Sequence, residues 1–214
     1  MEFNAKNTAV VVTDPQNDFL SETGVTWGLV GDSVTENKTV ENLETLITEA
    51  KAKGYPVFVS PHYYYPHDHK WEFGGTLEKI MHDIGMFDRK DPLDLGGFSG
   101  SGADFLPRLQ PLLTDGDTVV TNPHKVYGPQ TNDLALQLRK RGIDRVILAG
   151  MSANLCVEAH MRQLTEDGFE VHIVTDATAA ARHPELGDGF AAALINFNYI
   201  AAGVGNTAET VASL

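Results

Sequence analysis

The sequence is short of three things. It has one cysteine, Cys156, among 214 residues, so no intramolecular disulfide can form. A lone thiol fits a reducing compartment and is left free for chemistry. Basic residues are few: 16 Lys and Arg stand against 29 Asp and Glu, a formal net charge of -13. A chain of that sign repels phosphate backbones and anionic lipid, which argues against nucleic-acid and membrane-surface partners. No apolar run approaches the ~20 residues that cross a bilayer. The opening MEFNAKNTAVVV has no basic segment ahead of an apolar stretch and cleavage site, so no signal peptide is expected. A soluble cytoplasmic protein is the expectation. Internal repeats and low-complexity tracts are also lacking.

What is present is enough apolar material, 42 % of residues, for one sizeable core, so residues 1–214 are read as a single domain. Short β-branched runs fall at Thr8–Thr13, Pro56–Ser60, Thr118–Thr121, Arg145–Leu148 and Val171–Thr175, with a weaker one at Tyr199–Ala201. Runs apolar on both faces suit a parallel sheet covered on each side. Between them, apolar positions recur every three or four residues over Val40–Lys53, Asn132–Arg141 and Asn154–Asp167, and Gly54, Gly142 and Gly168 supply stops. Helix–Gly–strand units that repeat in this way predict an α/β fold, a three-layer α/β/α sandwich with a six-stranded, mainly parallel sheet. One stretch breaks the rhythm. Residues 62–102 hold aromatics, four histidines and many glycines, with one short helical pattern at Thr76–Asp83. An irregular segment of that length reads as a pocket wall, a lid or an interface.

In an open parallel sheet, ligands bind beyond the carboxyl ends of the strands, so residues just past each run are the informative ones. The first run ends in Thr13-Asp14-Pro15-Gln16-Asn17-Asp18-Phe19. Asp14 alone reads equally as a loop or helix cap. The third ends in Thr121-Asn122-Pro123-His124-Lys125, where Lys125 alone reads as a solvated charge. The fourth runs through a glycine turn, Gly150-Met151-Ser152-Ala153-Asn154-Leu155-Cys156-Val157. That turn puts Cys156 at a helix start, where backbone N–H groups favour a thiolate and receive an oxyanion. Alone, Cys156 also reads as a small buried hydrophobe. Together, an acid, an ammonium and a thiol at one sheet edge make chemical sense. The ammonium stabilises a thiolate, and the carboxylate takes the thiol proton and returns it to a leaving amine.

These segments resemble the isochorismatase-like cysteine hydrolases, a superfamily that includes nicotinamidases, N-carbamoylsarcosine amidohydrolases, ureidoacrylate and biuret hydrolases, and isochorismatases. The anchors are VVVTDPQNDF, the Lys of NPHKVYGPQTNDLALQLRKRGIDRVILAG, and GMSANLCVEAHMRQLTEDGFEVHIVTDA, and the resemblance spans nearly the whole chain. It implies hydrolysis of a C–N bond in a small amide, ureide or imide. Cys156 would form a thioester, Asp14 would act as base and then acid, and Lys125 would hold both. The backbone N–H groups of Ser152 and Cys156 would form the oxyanion hole, with a cis Met151–Ser152 peptide. No cofactor is required, and family members are commonly dimers or tetramers. Some ether-cleaving members lack the nucleophile, which this chain has. A metal-assisted amidase of the nicotinamidase kind and a vinyl-ether hydrolase stay open as alternatives, with a non-enzymatic binding protein on the same fold behind them.

The chain also departs from the family. Nicotinamidases place a metal site after the second strand, beginning with an Asp and a His two residues on. Here that stretch is Ser60-Pro61-His62, followed by His67 and His69. His62, His67 and His69 would hold Zn²⁺ or a similar divalent ion if one binds; the other reading is that they line a pocket or bond within the loop. The segment from Lys125 to the next Thr and Asp is about two residues shorter than is usual in the family. Gln16, Asn17, Phe19, Trp27, His62, Tyr63 and Tyr127 are the candidates for substrate contact, whereas Tyr64, Tyr65, Trp71 and Phe73 suit a pocket, a lid or an interface. Asp176 and His160 are read as structural.

Overall fold

The computed structural model describes residues 3–214. Six strands form one sheet in the order β3-β2-β1-β4-β5-β8, and every pairing in it is parallel. They are β1 (Thr8–Thr13), β2 (Val57–Ser60), β3 (Val119–Val120), β4 (Arg145–Met151), β5 (Glu170–Ala179) and β8 (Gly203–Gly205). A separate antiparallel pair, β6 (Arg182–His183) and β7 (Gly187–Asp188), sits outside it.

Alternation along the strands explains the layers. On β1, Val10 and Val12 join one buried cluster with Leu43, Leu46 and Ile47 of α3 (Thr39–Ala52) and Val30 and Val34 of α2 (Trp27–Glu36). Ala9 and Val11 point the other way. They join Leu134 and Leu138 of α6 (Leu134–Lys140), Met161 and Leu164 of α7 (Glu158–Glu166), and Phe197 of α8 (Gly189–Ile200). Both faces are therefore covered, as the continuous apolar strands require. The architecture is the expected α/β sheet flanked by helices.

Two expectations are corrected. Tyr199 and Ile200 end α8, and the sixth strand is Gly203–Gly205. The helix expected from Asn154 begins as a π-helical turn, Ala153–Val157, and becomes α-helical only at Glu158. Single π turns are often found at functional sites.

The chain order fixes where a site can form. From β1 the sheet grows one way to β2 and β3 and the other way to β4, β5 and β8. The crevice between the ends of β1 and β4 is the topological switch point. The segment after β2 is laid across it, with α4 (Thr76–Asp83) as its one α-helix between residues 62 and 102. The buried Asp18 carboxylate ties this segment down by accepting the Phe87 N–H at 2.7 Å.

Candidate active site

Four strand ends deliver side chains to one point. Asp14 follows β1, His62 follows β2, His124 follows β3, and Cys156 lies in the π turn after β4. One ligand-type atom from each lies within 4.8 Å of the others, and all four residues are buried. Backbone features aim them. Asp14 takes a left-handed φ of 45°, an uncommon state for a residue with a Cβ, which turns it off the strand axis. Gly150 has φ 111°, and a Cβ there would sit 2.0 Å from the Thr13 carbonyl, so only glycine lets β1 and β4 approach this closely. The Met151–Ser152 peptide is cis, as the resemblance implied.

The contacts at Asp14 are specific. His124 Nε2 lies 2.8 Å from Asp14 Oδ1. Asp14 Oδ2 has no well-formed hydrogen bond, although the Cys156 thiol is close enough to interact with the carboxylate. His62 Nε2 is 2.6 Å from the Lys125 carbonyl oxygen, an acceptor, so that ring nitrogen carries the proton and Nδ1 is left as a lone pair. His160 bonds the Cys156 carbonyl at 2.7 Å and Ser60 Oγ at 2.8 Å.

Burial dominates the electrostatics. It raises the Asp14 carboxyl to about 6, against the opposing influence of His62, His160 and the thiol. It holds His62, His124 and His160 down at about 3, so all three are neutral near pH 7. The His124–Asp14 contact is thus a hydrogen bond from a neutral imidazole rather than an ion pair. Burial and the adjacent Asp14 push the Cys156 thiol up, and the Ser152 and Cys156 backbone groups only partly offset this. The sequence reading of a thiolate stabilised at a helix start is therefore corrected: the resting group is a thiol, because desolvation outweighs the local dipoles.

Lys125 is not brought to this point. Its Nζ donates to Asp68 Oδ2 at 2.5 Å and to the Tyr63 carbonyl at 3.0 Å, and it lies 4.1 Å from the Tyr65 ring centre. The residue beside Asp14 is its neighbour His124, which sequence reading passed over. The pairing of strand extensions explains this. His62 and His124 form a parallel bridge, so their side chains share a face, and Tyr63 and Lys125 take the opposite one.

Of the other candidates, Gln16 is spent on structure. Its amide accepts from His62 N at 2.8 Å and donates to the carbonyls of His62 and Ala103 at 2.8 and 2.9 Å. Asn17 donates to Ser101 O at 2.8 Å, Phe19 lies in the core, and Trp27 packs against that core. Tyr63 is buried beneath the Arg89 guanidinium, 4.7 Å from its ring centre. Burial raises the Tyr127 hydroxyl above its usual range, and the nearby Cys156 adds to the shift. With Asn154, Leu155, Glu158, Ala159 and Arg162 it lines a cavity of about 210 Å³ outside the turn that carries Cys156. Asp176 accepts from Thr207 N at 2.7 Å at the start of the last helix, α9 (Thr207–Ser213), whose N-cap is Asn206.

The three histidines named as ligands in case a metal binds do not meet. His67 is exposed, its Nε2 3.4 Å from Asp68, and His69 is bonded to Asp88 at 2.7 Å. Ser60, where nicotinamidases carry an Asp, spends its hydroxyl on His160 and Asn132. A nicotinamidase-type metal set at His62, His67 and His69 does not fit these residues.

Comparison with known proteins agrees with the fold. The model of the Isochorismatase domain matches residues 8–207. An uncharacterised isochorismatase family protein, YecD, of Escherichia coli O157:H7 is 31 % identical over 189 residues, covering 85 % of this chain and 84 % of its own. The ureidoacrylate amidohydrolase RutB of Serratia proteamaculans is 30 % identical over 203 residues, covering 91 % of this chain and 77 % of its own. The crystal structure of a cysteine hydrolase from Pseudomonas syringae pv. phaseolicola 1448A superposes with a TM-score of 0.80 at 23 % identity, covering 100 % of this chain and 94 % of that one. No helix among the described residues is long and apolar enough to cross a membrane. A family match across almost the whole chain, on a sheet whose switch point holds an acid and a thiol, leaves one assignment: the chain belongs to the isochorismatase family of hydrolases.

Proposed function

We propose that the protein is a cysteine amidohydrolase that cleaves the C–N bond of a small amide or ureide. The observation that carries this reading is the pairing of a buried thiol with a carboxylate whose Oδ2 is free of other partners. A carboxylate raised to about 6 is a stronger base than an exposed one and is still ionised at neutral pH. As the Cys156 sulfur attacks the carbonyl carbon, its proton passes to Asp14 Oδ2. The carbonyl oxygen becomes an oxyanion beside the backbone N–H groups of Ser152 and Cys156. The C–N bond then breaks, the nitrogen takes the proton from Asp14, and the amine leaves a thioester on Cys156. Water attacks the thioester carbon and gives a proton to Asp14. When the C–S bond breaks, that proton returns to the sulfur.

In this scheme His124 donates to Oδ1 and fixes the carboxylate, which leaves Oδ2 to take the thiol proton. Lys125 supports the wall through Asp68 and presents its carbonyl to His62. The cavity beside the π turn, lined by Tyr127 and Leu155, is the approach this scheme assigns to substrate. A ureide is favoured as the substrate class because the RutB relative is named for one.

The test is ammonia release from a panel of small amides and N-carbamoyl compounds, run on metal-free wild type and Cys156→Ala. Turnover lost in the variant, with an acyl adduct on Cys156 detected by mass spectrometry, is the expected result. Turnover that survives Cys156→Ala overturns the thioester route and favours direct attack of water on the amide with Asp14 as base.

A further inference from the structure

The geometry points to a transition-metal site of the Zn²⁺ class formed by Asp14, His62, His124 and Cys156 themselves. Its ligands would be one carboxylate oxygen, two imidazole nitrogens and one sulfur. Those atoms already lie within 4.8 Å of one another, and no other group of three or more such residues gathers among the described residues.

A second observation points the same way. Three buried atoms of this small group have no hydrogen-bond partner: Asp14 Oδ2, His62 Nδ1 and His124 Nδ1. Buried polar atoms are nearly always satisfied, so unpartnered atoms on three of these four residues, with only the Cys156 thiol close to the Asp14 carboxylate, call for a missing partner. His62 is arranged as metal-ligating histidines are. Its Nε2–H is held by the Lys125 carbonyl at 2.6 Å, which fixes the tautomer and leaves the Nδ1 lone pair available. Gln16 holds the same residue by its backbone N–H and carbonyl, both at 2.8 Å.

The donor set selects the ion. One sulfur and two imidazoles are too soft for Mg²⁺ or Ca²⁺, which take oxygen, whereas four N, O and S donors match tetrahedral Zn²⁺. Charge agrees as well. Zn²⁺ with one carboxylate and one thiolate is neutral, which a fully buried site requires. On binding, the Cys156 S–H bond gives way to a metal–sulfur bond and the proton leaves to solvent. This set shares only His62 with the loop histidines His67 and His69, which lie elsewhere. If the amidohydrolase reading holds, occupancy ties up both its nucleophile and its base, so the metal-loaded chain is the inactive form.

The test is titration of the chelator-treated full-length protein with Co²⁺ and then with Zn²⁺. One equivalent of Co²⁺ is expected to give a thiolate-to-metal charge-transfer band, and Zn²⁺ is expected to displace it with micromolar or tighter affinity. His62→Ala is expected to weaken Zn²⁺ binding by about tenfold or more. His67→Ala and His69→Ala are expected to leave it unchanged. Absence of the sulfur band in wild type overturns the site and needs no variant to fold. Weakening by His67→Ala or His69→Ala also overturns it. Amide turnover is measured on the metal-free chain. Its failure there counts against the amidohydrolase reading and leaves the metal result standing.

Discussion

Replacing Gln16 by alanine separates a structural strut from a substrate ligand. Gln16 is wholly buried, and its amide spans three segments: the turn after β1, His62 beyond the end of β2, and Ala103. Alanine removes three hydrogen bonds of 2.8, 2.8 and 2.9 Å and orphans one backbone N–H and two carbonyls. Each buried backbone group left without a partner costs roughly 1–3 kcal/mol. The space vacated is polar enough to admit water, which keeps each loss at the lower end, or about 3 kcal/mol in all. For a chain of this size that is a fall in Tm of about 6–12 °C. The assay is thermal unfolding by circular dichroism, beside kcat and KM on the best amide of the panel. Because Gln16 sets the backbone of His62, kcat should fall with Tm. A drop of under about 3 °C combined with a raised KM would refute the strut and restore Gln16 as a substrate contact.

Asp14→Asn should cut kcat/KM by about 10²–10⁴, the usual worth of a positioned base. The same change should stabilise the metal-free fold at pH 8. The Asp14 pKa is raised from 3.8 to about 6, so the carboxyl favours folding when protonated and loses that contribution as pH rises through about 6. The gain, read in urea unfolding, should approach about 3 kcal/mol; equal stability of the two proteins at pH 8 would contradict it. Lys125→Met should lower Tm while leaving far more turnover than Asp14→Asn does. It takes the ammonium from the buried Asp68 carboxylate, which keeps the Tyr65 N–H, a loss of about 1–3 kcal/mol, and touches no reacting atom. A collapse of turnover equal to that of Asp14→Asn would return Lys125 to the reacting set. Burial holds His172, bonded to Thr210 at 3.2 Å, down at about 4, so its stabilising share is present above pH 6.5 and lost as pH falls toward 4. His172→Gln should therefore flatten the fall of Tm between those values, and unchanged slopes would sink the idea.

The layers of the fold were legible because they rest on periodicity. The strand limits of β1 and the limits of α4 agree with the sequence reading to the residue. The π turn was not legible, since its residues Ala153–Val157 carry the same apolar spacing as an ordinary first helical turn. The last strand was misplaced for a related reason. Tyr199 and Ile200 have strand-like side chains but close a helix, and the true strand, Gly203–Gly205, has two glycines and almost no β propensity. It pairs because β5 offers an edge, a tertiary cause that composition does not record.

The site shows the same division at the scale of one residue. Asp14 and Cys156 were legible because each directly ends a strand or follows a glycine turn. The ammonium expected beside them was not in place, because beyond β3 the decisive fact is which face a side chain takes. A parallel bridge between His62 and His124 sets that face. Successive residues then alternate, which sends Lys125 across to Asp68 and the Tyr65 ring and leaves His124 at the carboxylate. A signal was present in the sequence. The segment that looked two residues short when counted from Lys125 is one residue longer when counted from His124. Register, with its period of two, converts a one-residue offset into a change of chemistry. At this strand end the offset replaces a charged ammonium with a neutral imidazole. That exchange brings no cation to offset the burial that keeps the Cys156 thiol protonated, and it supplies the second nitrogen that a metal ion would need.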